Sequence, residues 1–268
     1  MQSGTMLCTW SLGKSENCFK LASLLGIDSN DPEEIVKLLR TVPAQDIVNA
    51  QSSVLTKHEL RCYDLIFGIN IDEVAQTAVL PLPFEQLYSN AHDFPILLGH
   101  TTHEFILFLA DKSQRRLNIC EEYLPWYAKK LGQLNKIKPD ETEEFVKTIK
   151  NWYFKGQPIS EDNIFELLDL MSDLYFVLGI KVFIENRVKS TSSPTYYYNY
   201  SYVGNEKALT DLLIKRFVTG ASHQDDVSYL LYNPHYKTEN PSPPAEGTKD
   251  RVIMERLTKM WSNFAKTG

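Results

Sequence analysis

Apolar residues recur along this chain at two spacings, and the changes between them predict its elements. After Asp140, Phe145, Ile149 and Trp152 fall three to four residues apart, the repeat of one helix face. Beyond the break at Gly156-Gln-Pro158, an apolar run from Ser160 to about Val188 predicts two helices or one bent helix. Near the start, Ser15 to Gly26 reads as a short helix with a serine cap, apolar Phe19, Leu21 and Leu24, and a glycine stop. Asp31-Pro-Glu-Glu34 predicts a firmer entry, with an N-cap aspartate, proline at the first helical position and a glutamate placed as in a capping box, leading to Ile35, Leu38 and Leu39. Pro43 opens another short helix through Ile47, and a last helix from about Lys249 sets Ile253, Leu257, Met260, Trp261 and Phe264 on one side.

Strands interrupt these helices. Phe94-Pro-Ile-Leu-Leu-Gly99 is a short apolar run closed by glycine and followed by polar His100-Thr-Thr-His-Glu104, which predicts a buried strand over 95–101 delivering its C-terminal loop to a site. Pro194-Thr-Tyr-Tyr-Tyr-Asn-Tyr-Ser-Tyr202 is rich in β-forming aromatics and predicts a second buried strand over 195–202. Residues 63–80 alternate loosely, with Leu65, Phe67, Ile69 and Ile71, and suggest an irregular or edge strand. Residues 235–248, with Pro241, Pro243, Pro244 and Gly247, read as a loop. The expected class is therefore α/β, a mainly parallel sheet flanked by helices, with strands 95–101 and 195–202 as neighbours.

Composition narrows the partners. With 268 residues, 43% of them apolar, the chain can build a large core, and residues 1–268 are read as one domain, incomplete. A net charge of −6 with scattered Lys and Arg carries no nucleic-acid or anionic-membrane signature, and no apolar run is long enough to span a bilayer. Met1-Gln-Ser-Gly4 lacks the charged and apolar regions of an export signal, and localisation and oligomeric state are left open. Cys8, Cys18, Cys62 and Cys120 are irregularly spaced without C-x-x-C, so isolated buried thiols are expected. Gly13-Lys-Ser15 is not a phosphate loop, because Cys8 stands where that motif requires glycine.

The candidate chemistry lies in Gly220-Ala-Ser-His-Gln-Asp-Asp226. A histidine between small residues and carboxylates suits general acid–base work, since its ordinary pKa is near neutral. Glu104, on the loop after the first strand, is the matching acid, and acid followed by a later histidine is the second half of the Ser…Asp/Glu…His order of α/β-hydrolases. The first half, a serine on G-x-S-x-G, does not occur in these 268 residues. His100-Thr-Thr-His-Glu104 also groups two histidines with a carboxylate, but the order is neither H-E-x-x-H nor H-x-x-E-H and the segment follows a strand, so no metal is expected. Asn199-Tyr-Ser201 matches the glycosylation pattern within the second strand.

Gln2-Ser-Gly-Thr-Met-Leu-Cys-Thr-Trp10 resembles the stretch that follows the nucleophile elbow in type-B carboxylesterases, the cholinesterase-like α/β-hydrolases. Met260-Trp-Ser-Asn-Phe-Ala-Lys-Thr-Gly268 resembles a helix late in that family, and between them Leu97-Leu-Gly with Glu104, and Gly220-Ala-Ser-His223 with Asp225-Asp226, follow in the family's order. The resemblance implies an incomplete α/β-hydrolase fold from the C-terminal part of a carboxylic ester hydrolase. It further implies a Ser-Glu-His triad in which Glu104 and His223 are present and the serine is not, a chain inactive alone, a small-molecule ester substrate and no cofactor. Ser3 and Asp226 are implied as supports behind the triad; Trp10, Leu65 and Phe67 as substrate-binding residues; and Asp173 as a structural hydrogen-bonding partner. Phe105 replaces the family's glycine after the acid, a change that would strain a positive φ by about 1–2 kcal/mol. The family's disulfide is not matched, because residues 26–38 hold no cysteine. Cholinesterase-like adhesion proteins, which keep the fold and lose the triad, are the alternative; retention of Glu104 and His223 favours catalysis.

Overall fold

The structure is a computed structural model that describes residues 1–73, 76–82, 84–87, 93–109, 111–134, 137–237 and 241–268. It divides into two compact units, Thr9–Leu87 and Met1–Cys8 with Tyr88–Gly268.

The Thr9–Leu87 unit is helical, with α1 (Glu16–Leu24), α2 (Pro32–Leu39), α3 (Ala44–Gln51), α4 (Lys57–Arg61) and α5 (Phe84–Leu87). Ala22, Ile27 and Ile35 form its buried centre, with Leu39 and Val42 packed against them. The Asp31 carboxylate caps α2 by accepting the Glu33 N–H at 3.0 Å, as expected, but Glu34 turns outward to accept the Ser29 hydroxyl and does not complete a capping box. Ser15 makes no side-chain cap on α1, and Phe19 and Leu24 of that helix are exposed while Asn17, Leu21 and Ala22 are buried. No strand forms over the described part of 63–80, of which residues 74 and 75 lie outside the described residues. Its β character reduces to one bridge, Leu12 to Ile69, closed by Gly13 N–H to Ile69 O at 3.0 Å and Ile69 N–H to Ser11 O at 2.7 Å.

The other unit holds the sheet. Strand β1 (Ile96–Thr101) is followed by a 3-10 turn over Glu104–Phe108, then by helices α6 (Gln114–Leu134), α7 (Thr142–Phe154), α8 (Ile164–Ser172) and α9 (Leu178–Ser190). Strand β2 (Thr195–Tyr200), α10 (Leu209–Leu213), α11 (Val227–Leu230) and α12 (Lys249–Thr267) complete it. Within the expected loop 235–248, residues 238–240 lie outside the described residues. As expected, β1 and β2 pair in parallel, Ile96 opposite Thr195 through Thr101 opposite Tyr200. On the other side of β1, Gln2 bridges to Gly99, also in parallel, with Ser3 N–H to Gly99 O at 2.8 Å. Gly99 is required in this register, because a Cβ there would stand 2.2 Å from the Tyr198 carbonyl oxygen. The buried Arg187 of α9 ties the strand beginnings together, donating to Thr195 Oγ1 at 3.0 Å and to the Phe94 carbonyl.

At several points the elements depart from the sequence expectation. Helix α6 is not anticipated by the sequence reading, yet Leu117, Cys120, Leu124, Tyr127, Ala128 and Leu131 bury one stripe at helical spacing, and this burial carries the helix through Pro125, whose missing N–H would otherwise end it. The apolar run from Ser160 takes the second of its two expected forms, one bent helical path: a 3-10 turn over Glu161–Asn163, then α8, then a π turn over Asp173–Val177, then α9. The extra residue of a π turn widens the backbone, and here Leu174, Tyr175, Phe176 and Val177 are all buried. Strand β2 stops at Tyr200 and is only partly buried, with Tyr196 and Tyr197 exposed. Its partner α12 lies half-buried against it, through Tyr198 on Trp261 at 4.9 Å between ring centres, while Met260 is exposed. Trp152, counted as part of an apolar face, is 81% exposed. None of the four cysteines is in a disulfide, and Cys18 is exposed, not buried as expected. Among the described residues no helix is long and apolar enough to cross a membrane.

Candidate active site

Strand β1 ends at Thr101, and the chain turns so that Glu104 comes back beneath the strand end. Its carboxylate has no exposed surface. Burying a charged carboxylate is strongly unfavourable unless donors surround it, and three do. The Thr101 N–H and the Ser3 hydroxyl donate to Oε1 at 2.6 and 2.7 Å, and His223 Nδ1 lies 2.6 Å from Oε2. Ser3 reaches this position from the segment bridged to Gly99, and it does so with φ 53°, in the left-handed region uncommon for a residue with a side chain. Phe105 is spared that strain: its φ is not positive, and its N–H donates to Ser172 Oγ at 3.2 Å.

An ionised carboxylate only accepts, so the Nδ1 contact places the imidazole proton on Nδ1 and leaves the Nε2 lone pair free in the neutral ring. Among the described residues Nε2 has no hydrogen-bond partner. The ring packs against Phe176 and Phe108, at 5.2 and 5.9 Å between centres, and 19% of the side chain remains exposed. A histidine whose one nitrogen is fixed by a buried acid and whose other nitrogen is unpaired beside aromatic walls can take and return a proton.

The histidine loop is docked by backbone and side-chain bonds. The His103 N–H donates to Ala221 O at 2.9 Å, and the Ser222 N–H donates to Asp225 Oδ2 at 2.8 Å. Gly220 fits because a Cβ there would meet the His103 ring at 2.7 Å. Asp226, wholly buried, accepts from Gln2 Nε2 at 2.9 Å and from the Tyr198 hydroxyl at 3.1 Å, both on Oδ2; Oδ1 has no partner among the described residues. Burial pushes the Asp226 carboxyl above the ordinary range, against the pull of Gln2 and Tyr198. The folded chain therefore holds this proton to a higher pH than the unfolded chain does. The resulting stability is fully present below about pH 4, where both states are protonated, and is lost as pH rises through the raised folded value. Asp226→Asn is expected to flatten that part of the pH dependence and to leave stability near neutrality unchanged or higher. Thermal unfolding midpoints followed upward from about pH 4 check this, and an undiminished slope in the variant contradicts it.

Of the other expected residues, Asp173 accepts the Tyr153 hydroxyl at 2.7 Å, a structural bond on the π turn. His100 pairs with the Tyr197 hydroxyl and the Thr101 carbonyl, while His103 contacts Thr102 Oγ1, so the two histidines face different partners. Trp10, Leu65 and Phe67 belong to the Thr9–Leu87 unit, where Trp10 is half-buried and Leu65 and Phe67 are exposed. The sequence pattern does not point to Gln2, Thr101, Phe108, Phe176 or Tyr198 as parts of this site. Phe176 looks like any apolar residue of its helical run, and Thr101 acts through a backbone N–H that every residue but proline carries.

A sequence model of the Carboxylesterase family matches residues 1–268. The chain belongs to the carboxylesterase family. Among similar proteins, esterase E4 of Myzus persicae is 26% identical over 280 residues, an overlap that takes in 100% of this chain and 48% of that protein. Human bile salt-activated lipase is 21% identical over 276 residues, covering 100% of this chain and 34% of the lipase. The crystal structure of juvenile hormone esterase from Manduca sexta, with OTFP covalently attached, superposes with a TM-score of 0.66 at 22% identity over 99% of this chain and 50% of that one. That likeness shows the α/β-hydrolase fold. This carboxylesterase chain thus spans about half the length of the curated esterases it matches.

Proposed function

We propose that this chain carries the acid and the base of a Ser-Glu-His ester hydrolase whose serine is supplied by residues outside these 268. The observation that carries the proposal is the 2.6 Å contact between His223 Nδ1 and the fully buried Glu104 carboxylate, with Nε2 unpaired among the described residues. In the reaction, His223 Nε2 removes the proton from the serine hydroxyl as its oxygen attacks the ester carbonyl. It then returns the proton to the departing alcohol, leaving an acyl-enzyme; water, activated by the same nitrogen, releases the acid and restores the serine. Glu104 holds the imidazole in the required tautomer and offsets the positive charge it gains. Ser3 and the Thr101 N–H keep the Glu104 carboxylate turned toward His223. The substrate class is a small-molecule carboxylic ester, and no cofactor enters.

The purified 268-residue chain is expected to hydrolyse simple aryl esters no faster than background. Without the serine there is no acyl-enzyme, and the usual donors to the oxyanion, each typically worth about 3–4 kcal/mol of barrier, include the N–H after that serine. A longer protein in which this sequence follows a G-x-S-x-G segment is expected to hydrolyse them, with loss of activity on treatment with a serine-directed reagent. Reagent-sensitive turnover by the 268-residue chain, or a longer protein with an intact serine elbow and no turnover on any ester, would place the machinery elsewhere.

A further inference from the structure

The histidine loop has an anchor that the triad does not account for. Arg216, with 22% of its side chain exposed, sends all three guanidinium nitrogens into a small set of oxygens. Nε and Nη2 donate to the Asp211 carboxylate at 2.7 and 3.3 Å. Nη1 and Nη2 donate to Asp225 Oδ2 and Oδ1 at 2.9 and 2.6 Å, and Nη1 also donates to the Gly220 carbonyl at 3.2 Å. Gly220 opens the loop and Asp225 closes it, so one planar side chain holds both ends of the segment that carries His223.

The platform behind Arg216 is itself fixed. Asp211 accepts the Ala208 N–H at 2.9 Å at the start of α10, and the neighbouring Thr210, wholly buried, donates to Ser222 Oγ at 2.7 Å. Within the loop, Gln224 takes φ 69°, a left-handed conformation uncommon in a residue with a side chain, which persists only where surrounding bonds enforce it. His223 has one polar contact of its own among the described residues, the bond to Glu104. Its place opposite Glu104 is therefore set by the loop ends.

Resting on the triad reading above, we infer that Arg216 is a positioning residue for His223, clamping Gly220 and Asp225 so that Nδ1 meets the Glu104 carboxylate. Arginine is needed for its shape: a lysine ammonium keeps the charge but cannot present parallel donors to two carboxylates and a carbonyl at once.

The full 268-residue chain, labelled with 15N-histidine, gives a readout independent of turnover. A hydrogen-bonded Nδ1 proton on His223 is expected as a low-field resonance, assigned by its loss in His223→Gln and Glu104→Gln. In Arg216→Met that resonance is expected to disappear into exchange with solvent while the backbone amide spectrum of β1 and α6–α9 stays as in the parent. In Arg216→Lys it is expected to persist but broaden several-fold. If the resonance is absent from the parent or survives Glu104→Gln, the Glu104–His223 reading fails and this inference falls with it. If it is lost in Glu104→Gln yet unchanged in Arg216→Met, the triad contact stands and the role of Arg216 is overturned. Should Arg216→Met fail to fold, Arg216→Lys decides, and an unbroadened signal there overturns the inference.

Discussion

Replacing His223 by alanine in an esterase that contains this sequence and its serine is expected to lower kcat by roughly 10³-fold or more, with the fold intact. The size follows from what the imidazole does. On the proposed mechanism it takes the proton from the serine hydroxyl and returns it to the alcohol, and among the described residues the other donors to Glu104, Ser3 and the Thr101 N–H, are both committed to Oε1. The fold should survive because the ring is an end point of the hydrogen-bond network and not a link in it. Among the described residues its polar contact is Glu104, while the loop is held by Ala221 O, Ser222, Asp225 and Asp226. Steady-state kinetics on an aryl ester, with circular dichroism as the control for folding, makes the measurement; a variant within tenfold of the parent kcat would remove His223 from the reaction.

Glu104→Gln is expected to lower kcat by roughly 10³–10⁴-fold at neutral pH, and the reason lies in the direction of the donors. Oε1 accepts from two groups, Thr101 N–H and Ser3 Oγ–H, so the amide of glutamine is driven to place its oxygen there and its NH2 toward His223. An NH2 facing Nδ1 calls for a lone pair on Nδ1, which moves the imidazole proton to Nε2 and removes the base from the serine. The side chain is nearly unchanged in volume, so KM is expected to stay within a few-fold and the loss to fall on kcat. Glu104→Asp separates the two contributions: it restores the charge and the tautomer but draws the carboxylate back, and it is expected to recover part of the rate. A glutamine variant as fast as the parent would show that the tautomer is set by something other than Glu104.

Much of this site could be read before any coordinates. A run of apolar residues ending in Gly99 had to be a short buried strand, because its length suits a strand and its polar continuation could only be a loop; Glu104 and His223 then followed from the order of acid and histidine. The parallel pairing of 95–101 with 195–202, formed over Ile96–Thr101 and Thr195–Tyr200, was likewise foreseeable, since helical segments long enough for a crossover separate them. Other parts were hidden for identifiable reasons. Helix α6 contains Pro125, a local signal against helix, and only the buried stripe from Leu117 to Leu131 overrides it. The loose alternation around Leu65, Phe67 and Ile69 promised a strand, but among the described residues its β pairing is the bridge to Leu12, with no further ladder, so the pattern stays irregular.

What the sequence determined by itself was the local and the chemical: which residue types can exchange a proton, where both paired strands and several of the helices begin, and the family to which their order belongs. Tertiary structure decided what the chemistry depends on at a distance. It brought Ser3, from the first residues of the chain, to the back of the Glu104 carboxylate; it laid Phe176, within the π turn, against the imidazole; and it set Arg216 across both ends of the histidine loop. These partners are joined by hydrogen bonds and ring contacts between segments far apart in the chain. Periodicity reports only which face of an element is apolar, and it holds no information about which distant donor or ring will meet that face once the chain has folded.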